Sequence, residues 1–234
     1  MSRKDNMNFS ATFLNLLQDR QSFLQEIHDG KRLNSKISAL LLCSFCCFAI
    51  YGGIVGSFHS PMQALASAIK LPALYLITLV VCLPALYIFN ALFGSKKTLG
   101  QHFTYVLSAA SVIAILLCGF APITLFFVIT ISPVKDYAFY QLLNVVIFAL
   151  TGVFGVTFLY QAMRPEDEDS TTYKLRLTIL RLWLGLYGVV GSQLGWILRP
   201  FFGSPGQFEW FRHREGNFLM GVWNALVHLM GGAG

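Results

Sequence analysis

Four long stretches without a charged residue are the feature that most limits what this chain can fold into. They cover residues 37–69, 71–95, 98–134 and 137–163, and a fifth stretch, 177–198, carries only Arg181. A membrane-spanning helix needs about 20 mainly apolar residues, so each stretch is long enough to cross a bilayer. The charged fraction is 12%, against about 25% in soluble domains. The sequence therefore predicts an all-α fold: an integral membrane helical bundle of about five transmembrane helices with amphipathic N- and C-terminal helices.

The predicted bundle occupies residues 37–198, between a tail of residues 1–36 and a tail of residues 199–234. We predict membrane spans over residues 37–58, 71–93, 103–131, 139–163 and 177–198. The lipid bilayer is therefore the first partner that the sequence implies.

Three prolines bear on the second and third spans. Pro72 fits the first turn of the second span, and Pro84 is expected to kink that helix. The third span is long for one crossing and short for two, so five and six crossings both stay open. Length favours five, with a break in the third span near Pro122.

Both tails show helical patterning. Apolar residues recur at helical spacing from Phe9 to Ile27 and predict one amphipathic helix, with Ser10 as its N-cap and Gly30 at its end. Residues 218–230 predict a second, short helix that lies in the membrane interface. Twelve of the 17 Lys and Arg residues fall on the side of the N-terminus, so the positive-inside rule predicts a cytoplasmic N-terminus.

Glycines in two spans have the spacing of helix-packing motifs. Gly52 and Gly56 form a Gly-x-x-x-Gly pair, which lets two helices approach closely. The last span carries four glycines three or four residues apart: Gly185, Gly188, Gly191 and Gly195. These four predict a smooth groove that is either an internal packing seam or a homo-oligomer interface, and the seam is favoured.

The sequence gives no reason to assign catalytic, metal or cofactor residues. No Asp, Glu or His lies within a predicted span, which lowers an enzyme or ion-coupled transporter interpretation. Cys43 and Cys46 have the spacing of a redox pair, but no second pair completes a metal site. Polar uncharged residues in the spans favour hydrogen bonds between helices over a lined cavity: Asn90, Gln141, Asn144, Thr151, Gln161 and Gln193. No basic run exceeds two residues, so nucleic acid is not expected as a partner.

The middle of the chain resembles the Yip1 domain group of five-span membrane proteins. The likeness rests on the paired Leu-Pro steps of residues 71–92 and on the glycine-containing link of residues 93–101, and it extends over residues 37–198. The proline that family members carry midway along the third span is replaced by residues 108–111, and the proline here is Pro122. The resemblance implies a five-span architecture; eukaryotic members are trafficking factors that bind small GTPases. The whole chain is also similar to uncharacterised bacterial membrane proteins, which implies a bacterial inner or internal membrane.

The N-terminal tail resembles a WH2 motif, the short element that binds actin monomers. The residues that carry this likeness follow in the order of the motif: Arg20, Phe23, Leu24, Ile27, Gly30, Leu33 and Lys36. The resemblance implies that Phe23, Leu24 and Ile27 enter the apolar cleft of actin. The last element departs from the motif, because one basic residue follows Leu33 where two are usual. The alternative that we favour is an interfacial helix anchored by Lys31, Arg32 and Lys36.

These observations favour a non-enzymatic scaffold or adaptor that binds an unidentified protein through residues 1–36. A small channel or transporter subunit is the alternative, and binding of actin or an actin-like protein through the WH2-like motif is the third hypothesis.

Overall fold

Six helices make up almost all of the described chain. The computed structural model describes residue 16, residues 18–92, 97–132, 137–163 and 170–198, and the helical positions Leu219, Met220, Trp223 and Val227. The helices are α1 (Arg20–His28), α2 (Leu33–Ser57), α3 (Pro61–Leu92), α4 (Leu99–Thr130), α5 (Tyr137–Ala162) and α6 (Ser170–Ile197). Helices α2 to α6 are long and apolar enough to cross a membrane, and the described residues contain no strand. The predicted all-α bundle with five spans is confirmed. The rest of the predicted C-terminal helix lies outside the described residues.

The second span differs most from its prediction. We predicted a start at residue 71, whereas α3 starts at Pro61. Ser60 supports the earlier start, because its hydroxyl accepts the backbone N–H three residues later at 3.2 Å. Proline suits the first helical position, where its missing N–H would have no partner. Pro72 therefore lies well inside the helix instead of in its first turn, and Lys70 becomes part of a membrane-spanning segment.

The third span is a single helix, so the predicted break near Pro122 is wrong. α4 continues through this proline to Thr130. In a bundle, neighbouring helices and local adjustment can satisfy the backbone group that a proline leaves unpaired. α4 begins with a capping box, in which Thr98 and Gln101 each accept the other's backbone N–H. The remaining spans need little correction: α2, α5 and α6 contain all but the last residue of their predicted spans.

The N-terminal tail is not the single helix that we predicted. Helical backbone at Leu16 and Gln18 is interrupted at Asp19, whose carboxylate accepts the Ser22 N–H at 3.2 Å and caps α1. Short polar side chains such as Asp favour this capping position over a helix interior. α1 ends at His28 with Asp29 as its C-cap, and Gly30, predicted for the end of the helix, follows one residue later with a φ of 71°. The predicted N-cap Ser10 lies outside the described residues.

α4 stands at the centre of the bundle, because it packs on α1, α2, α3 and α5. α2 packs on α3 and on α4, and α6 packs on α3. Successive spans run in opposite directions, so α1 lies beside the start of α4 and the end of α5. We call this the α1 end of the bundle, and the opposite end the distal end.

At the start of α3, polar side chains are buried and apolar side chains are exposed. Three polar residues spaced four and three apart are at most 4% exposed: Gln63, Ser67 and Lys70. Three apolar residues of the same stretch are each more than half exposed: Met62, Leu65 and Ile69. In water this arrangement would expose a large apolar surface and bury polar groups, which is unfavourable on both counts. In lipid it is favourable, so the structure is consistent with a multi-pass membrane protein.

Candidate interaction site at the N-terminal helix

The N-terminal helix lies against the bundle. Phe23 and Ile27 of α1 are buried, with exposed fractions of 3% and 0%. They belong to the same apolar cluster as Tyr105 of α4 and Phe158 of α5. Full burial of a large apolar side chain stabilises a fold by about 1.5–3 kcal/mol. One side of α1 therefore packs against other helices of the same chain.

Gln101 holds the end of α1. Its side-chain amide donates to the carbonyl oxygens of Ile27 at 3.1 Å and His28 at 2.6 Å. Carbonyl groups in the last turn of a helix lack the usual i+4 N–H partner, and a side-chain donor is one way to satisfy them. The Ile27 carbonyl oxygen also accepts the Gly30 N–H at 3.1 Å. The Gln101 amide oxygen accepts the Thr98 N–H at 2.7 Å. The same side chain thus caps the start of α4 and ties it to the end of α1.

Arg20 holds the other end of α1. Its guanidinium donates to the Phe158 carbonyl oxygen at 3.4 Å, and its carbon lies 4.4 Å from the centre of the Phe158 ring. Partial burial lowers the pKa of Arg20. The guanidinium nevertheless stays charged at neutral pH. A cation over an aromatic ring contributes about 0.5–1 kcal/mol at an exposed site. Arg20 therefore ties α1 to α5.

Lys36 joins α1 to α2. It is only 4% exposed, its ammonium group pairs with the Glu26 carboxylate, and it lies 4.4 Å from the centre of the Phe23 ring. An inward, paired lysine is not the lipid anchor that the alternative interpretation of the tail assigned to it. The neighbouring pair of Lys31 and Asp29, at 2.8 Å, is exposed. The hydrogen bond from Lys31 lowers the pKa of Asp29, but an ion pair in water adds little stability.

The seven WH2-like residues differ in burial, so they do not form one accessible surface. Three are buried: Phe23, Ile27 and Lys36. Three are partly buried: Arg20, Leu24 and Leu33; Gly30 is exposed. Two of the three apolar residues that the resemblance assigns to an actin cleft are thus enclosed by the bundle in this conformation. The outward side of α1 is polar and exposed: Gln21, Ser22, Gln25, Glu26 and His28.

Gly52 and Gly56 lie where α2 and α3 approach most closely. A Cβ atom at Gly52 would overlap the Ser67 carbonyl oxygen, and one at Gly56 would overlap the Gln63 carbonyl oxygen. The seam between α2 and α3 can therefore form only with glycine at these two positions, as small-residue motifs allow between membrane helices.

The four glycines of the last span divide into two pairs. A Cβ at Gly191 or Gly195 would meet side chains of α3 at 3.6 and 3.9 Å. A Cβ at Gly185 or Gly188 would have nothing within 4 Å. The first pair belongs to an internal seam, while the second pair lies on the outer surface of the chain, where the predicted oligomer interface stays a prediction.

A polar network crosses the distal end of the bundle. The Tyr51 hydroxyl donates to the Asn144 side-chain oxygen at 3.0 Å and lies 3.2 Å from the Thr124 hydroxyl. The Asn144 amide donates to the Tyr140 carbonyl oxygen at 2.9 Å. This network joins α2, α4 and α5. The sequence singled out Asn144 but not Tyr51, since nothing in the sequence separates Tyr51 from the other tyrosines.

Breaking the Tyr51 and Asn144 pair is expected to reveal an energetic coupling on the order of 1 kcal/mol, because such bonds in membrane bundles average about 0.6 and reach about 1.7 kcal/mol. The variants are Tyr51→Phe, Asn144→Leu and the double variant, and the measurement is the free energy of unfolding in mixed micelles. Tyr51→Phe combined with Thr157→Val serves as the control, because Thr157 is exposed and bonds only within its own helix. Equal coupling in both pairs would contradict the network.

Lys70 is the residue of functional interest that the sequence interpretation missed. Charged residues inside membrane spans are rare and commonly mark a functional site. The sequence does contain a pattern that places Lys70 in this helix. Gln63, Ser67 and Lys70 have helical spacing and follow Ser60-Pro61, a pair that can start a helix. Arg181, the charged residue that the sequence did place in a span, is exposed and donates to the Tyr160 hydroxyl at 3.2 Å.

The fold and these contacts define a class: an all-helical protein with five helices able to span a membrane and a short N-terminal helix docked on one end. Among the described residues no group of three or more His, Cys, Asp or Glu is placed to hold a metal ion. Comparisons with protein-family models, with curated proteins and with solved structures found no match.

Proposed function

We propose that this protein is a non-enzymatic membrane scaffold or adaptor whose N-terminal helix meets the partner. The docking of α1 carries this proposal. The helix is held by Gln101, Arg20 and Lys36 and turns a polar side outward, so a partner bound to it is coupled mechanically to the bundle. A helix this short would be only marginally stable alone, so the bundle also keeps the binding surface folded.

The charge distribution supports a cytoplasmic location for this surface. The proposed membrane is a bacterial inner or internal membrane, with the N-terminus in the cytoplasm according to the positive-inside rule. The likeness to the Yip1 domain group supports the same architecture of five spans with soluble tails. Tagging the N-terminus with a reporter that is active only in the cytoplasm tests this orientation, and an inactive reporter would contradict it.

The partner is sought by purifying the full-length protein in mild detergent and identifying bound proteins by mass spectrometry. The double variant Gln21→Ala with Gln25→Ala changes only exposed positions of α1 and is expected to lose the partner. Ser57→Ala, an exposed change at the distal end of α2, is expected to keep it. A partner that all three proteins retain equally would contradict binding through the outer side of α1. The absence of any protein partner would contradict the adaptor.

A small channel or transporter subunit is the second candidate, and the buried Lys70 favours it. A charged residue inside a membrane span is rare, and where it occurs it often marks an ion or solute pathway. The test is ion flux into liposomes containing the full-length protein, with Lys70→Met expected to change selectivity. Flux no greater than in empty liposomes would contradict this candidate.

Monomeric actin or an actin-like protein is the third candidate, based on the WH2-like order of residues. With Phe23 and Ile27 enclosed, binding in this mode requires α1 to leave the bundle. Co-elution of the full-length protein with purified monomeric actin tests this directly. Loss of co-elution in Leu24→Asp is the expected control.

A further inference from the structure

The turn between α1 and α2 contains two residues in the left-handed conformation. Gly30 has a φ of 71° and Arg32 has a φ of 52°. Glycine adopts this conformation without cost, but a residue with a Cβ atom is strained there. Arg32 is also the N-cap of α2, and its side chain makes no capping hydrogen bond. Among the described non-glycine residues, Arg32 alone has a positive φ. The turn that contains Arg32 joins α2 to α1, whose end is bonded to Gln101 of α4.

Four polar contacts between described residues oppose this strain. Gln101 donates two hydrogen bonds to α1, Arg20 donates one to α5, and Lys36 pairs with Glu26. The Glu26 side chain is half exposed, so water competes for this ion pair. Helix α1 is only nine residues long, so its position depends on these contacts and on the burial of Phe23 and Ile27.

We propose that α1 is a latch that alternates between the docked position and a released position, with Gln101 as its catch and Arg32 as its strained hinge. On release, Arg32 returns to the right-handed region and α2 can begin earlier. The apolar side of α1, formed by Phe23 and Ile27, then becomes accessible. The role of this movement rests on the proposed adaptor function: the released helix would offer the partner a second, apolar surface.

Cysteine accessibility in the full-length protein measures the released fraction. Ile27→Cys places a thiol on the docked side of α1, and Gln25→Cys places one on the exposed side as a reference. Both proteins are reconstituted in lipid nanodiscs and treated with a membrane-impermeant maleimide. Mass spectrometry of the peptide that contains the new thiol gives its labelling rate, so the native cysteines do not interfere. Size-exclusion chromatography checks that each variant is folded.

Substitutions at Gln101 and at Arg32 are expected to change the labelling rate of Ile27→Cys in opposite directions. Gln101→Leu removes two hydrogen bonds to α1 and should raise the labelling rate of Ile27→Cys about tenfold. Arg32→Gly removes the strain of the docked turn and should lower that rate about fivefold. Two controls separate these effects from indirect ones. Thr98→Ala breaks the same capping box without removing the bonds to α1, and Arg32→Lys keeps both charge and strain, so each should leave the rate within about twofold.

Three results would overturn the latch. One is equal labelling of residues 25 and 27 in otherwise unchanged protein, since α1 would then not be docked. The second is a rate at residue 27 that responds to neither Gln101→Leu nor Arg32→Gly. The third is a rate that Thr98→Ala raises as much as Gln101→Leu does. The adaptor function is tested separately from the latch. If no partner co-purifies but the labelling rates change as expected, the adaptor function is contradicted and the movement of α1 is still supported.

Discussion

Replacing Gly56 with alanine is expected to destabilise the bundle by about 3 kcal/mol, at the upper end of the usual cost of overpacking. The added Cβ would overlap the Gln63 carbonyl oxygen and lie 2.8 Å from the α-carbon of Ala64. Both are backbone atoms, so no side-chain rotation can make room, and α2 and α3 would have to move apart. Because α2 also packs on α4, the helix with the most neighbours, this movement also disturbs the centre of the bundle.

The measurement is the free energy of unfolding in mixed micelles, with the monodisperse fraction in size-exclusion chromatography as a second readout. Gly185→Ala is the matched control, because its Cβ would meet nothing within 4 Å. Alanine has a better helix propensity than glycine by about 0.8–1.0 kcal/mol, so this control is expected to be neutral or slightly stabilising. An unchanged stability in Gly56→Ala would contradict the close seam between α2 and α3. Equal damage in Gly185→Ala would show that the outer glycine surface of α6 is itself an interface, as in a homo-oligomer.

Ile27→Asp is expected to detach α1 from the bundle while the five spans stay folded. The Ile27 side chain is completely buried in the described structure. A carboxylate in that position would replace a side chain of the apolar cluster, and burying a charge among apolar groups costs several kcal/mol. Releasing α1 returns the carboxylate to water and sacrifices only the contacts of one short helix, so release costs less than unfolding.

Hydrogen exchange of the full-length protein in nanodiscs detects this release. The backbone amides of α1 should lose protection in Ile27→Asp, whereas those of α2 to α6 should keep it. Gln25→Asp adds the same charge to the exposed side of the same helix and should leave protection unchanged. Protected α1 amides in Ile27→Asp would contradict the docked position. A loss of protection throughout the chain would show instead that α1 is essential to the bundle.

Local rules explain which helix boundaries the sequence predicted well. The first, fourth and fifth spans follow directly from apolar runs bounded by charged or polar segments. The start of α3 was missed because Gln63, Ser67 and Lys70 look like a polar loop in sequence and become acceptable in a span only when they face protein. The break at Pro122 was expected because proline disrupts an isolated helix, whereas inside a bundle neighbouring groups can accommodate it.

The sequence alone determined that the apolar segments are helices, because lipid acts on each segment separately: an apolar run must form its own backbone hydrogen bonds to cross. Only the structure decided between one and two helices around Pro122. The tertiary structure decided which side of each segment faces protein. Gln101 bonds to a carbonyl 74 residues away, and Gly185 and Gly191 differ only in what lies opposite them. No local pattern contains that information, because a pairing between distant segments exists only once the helices have packed.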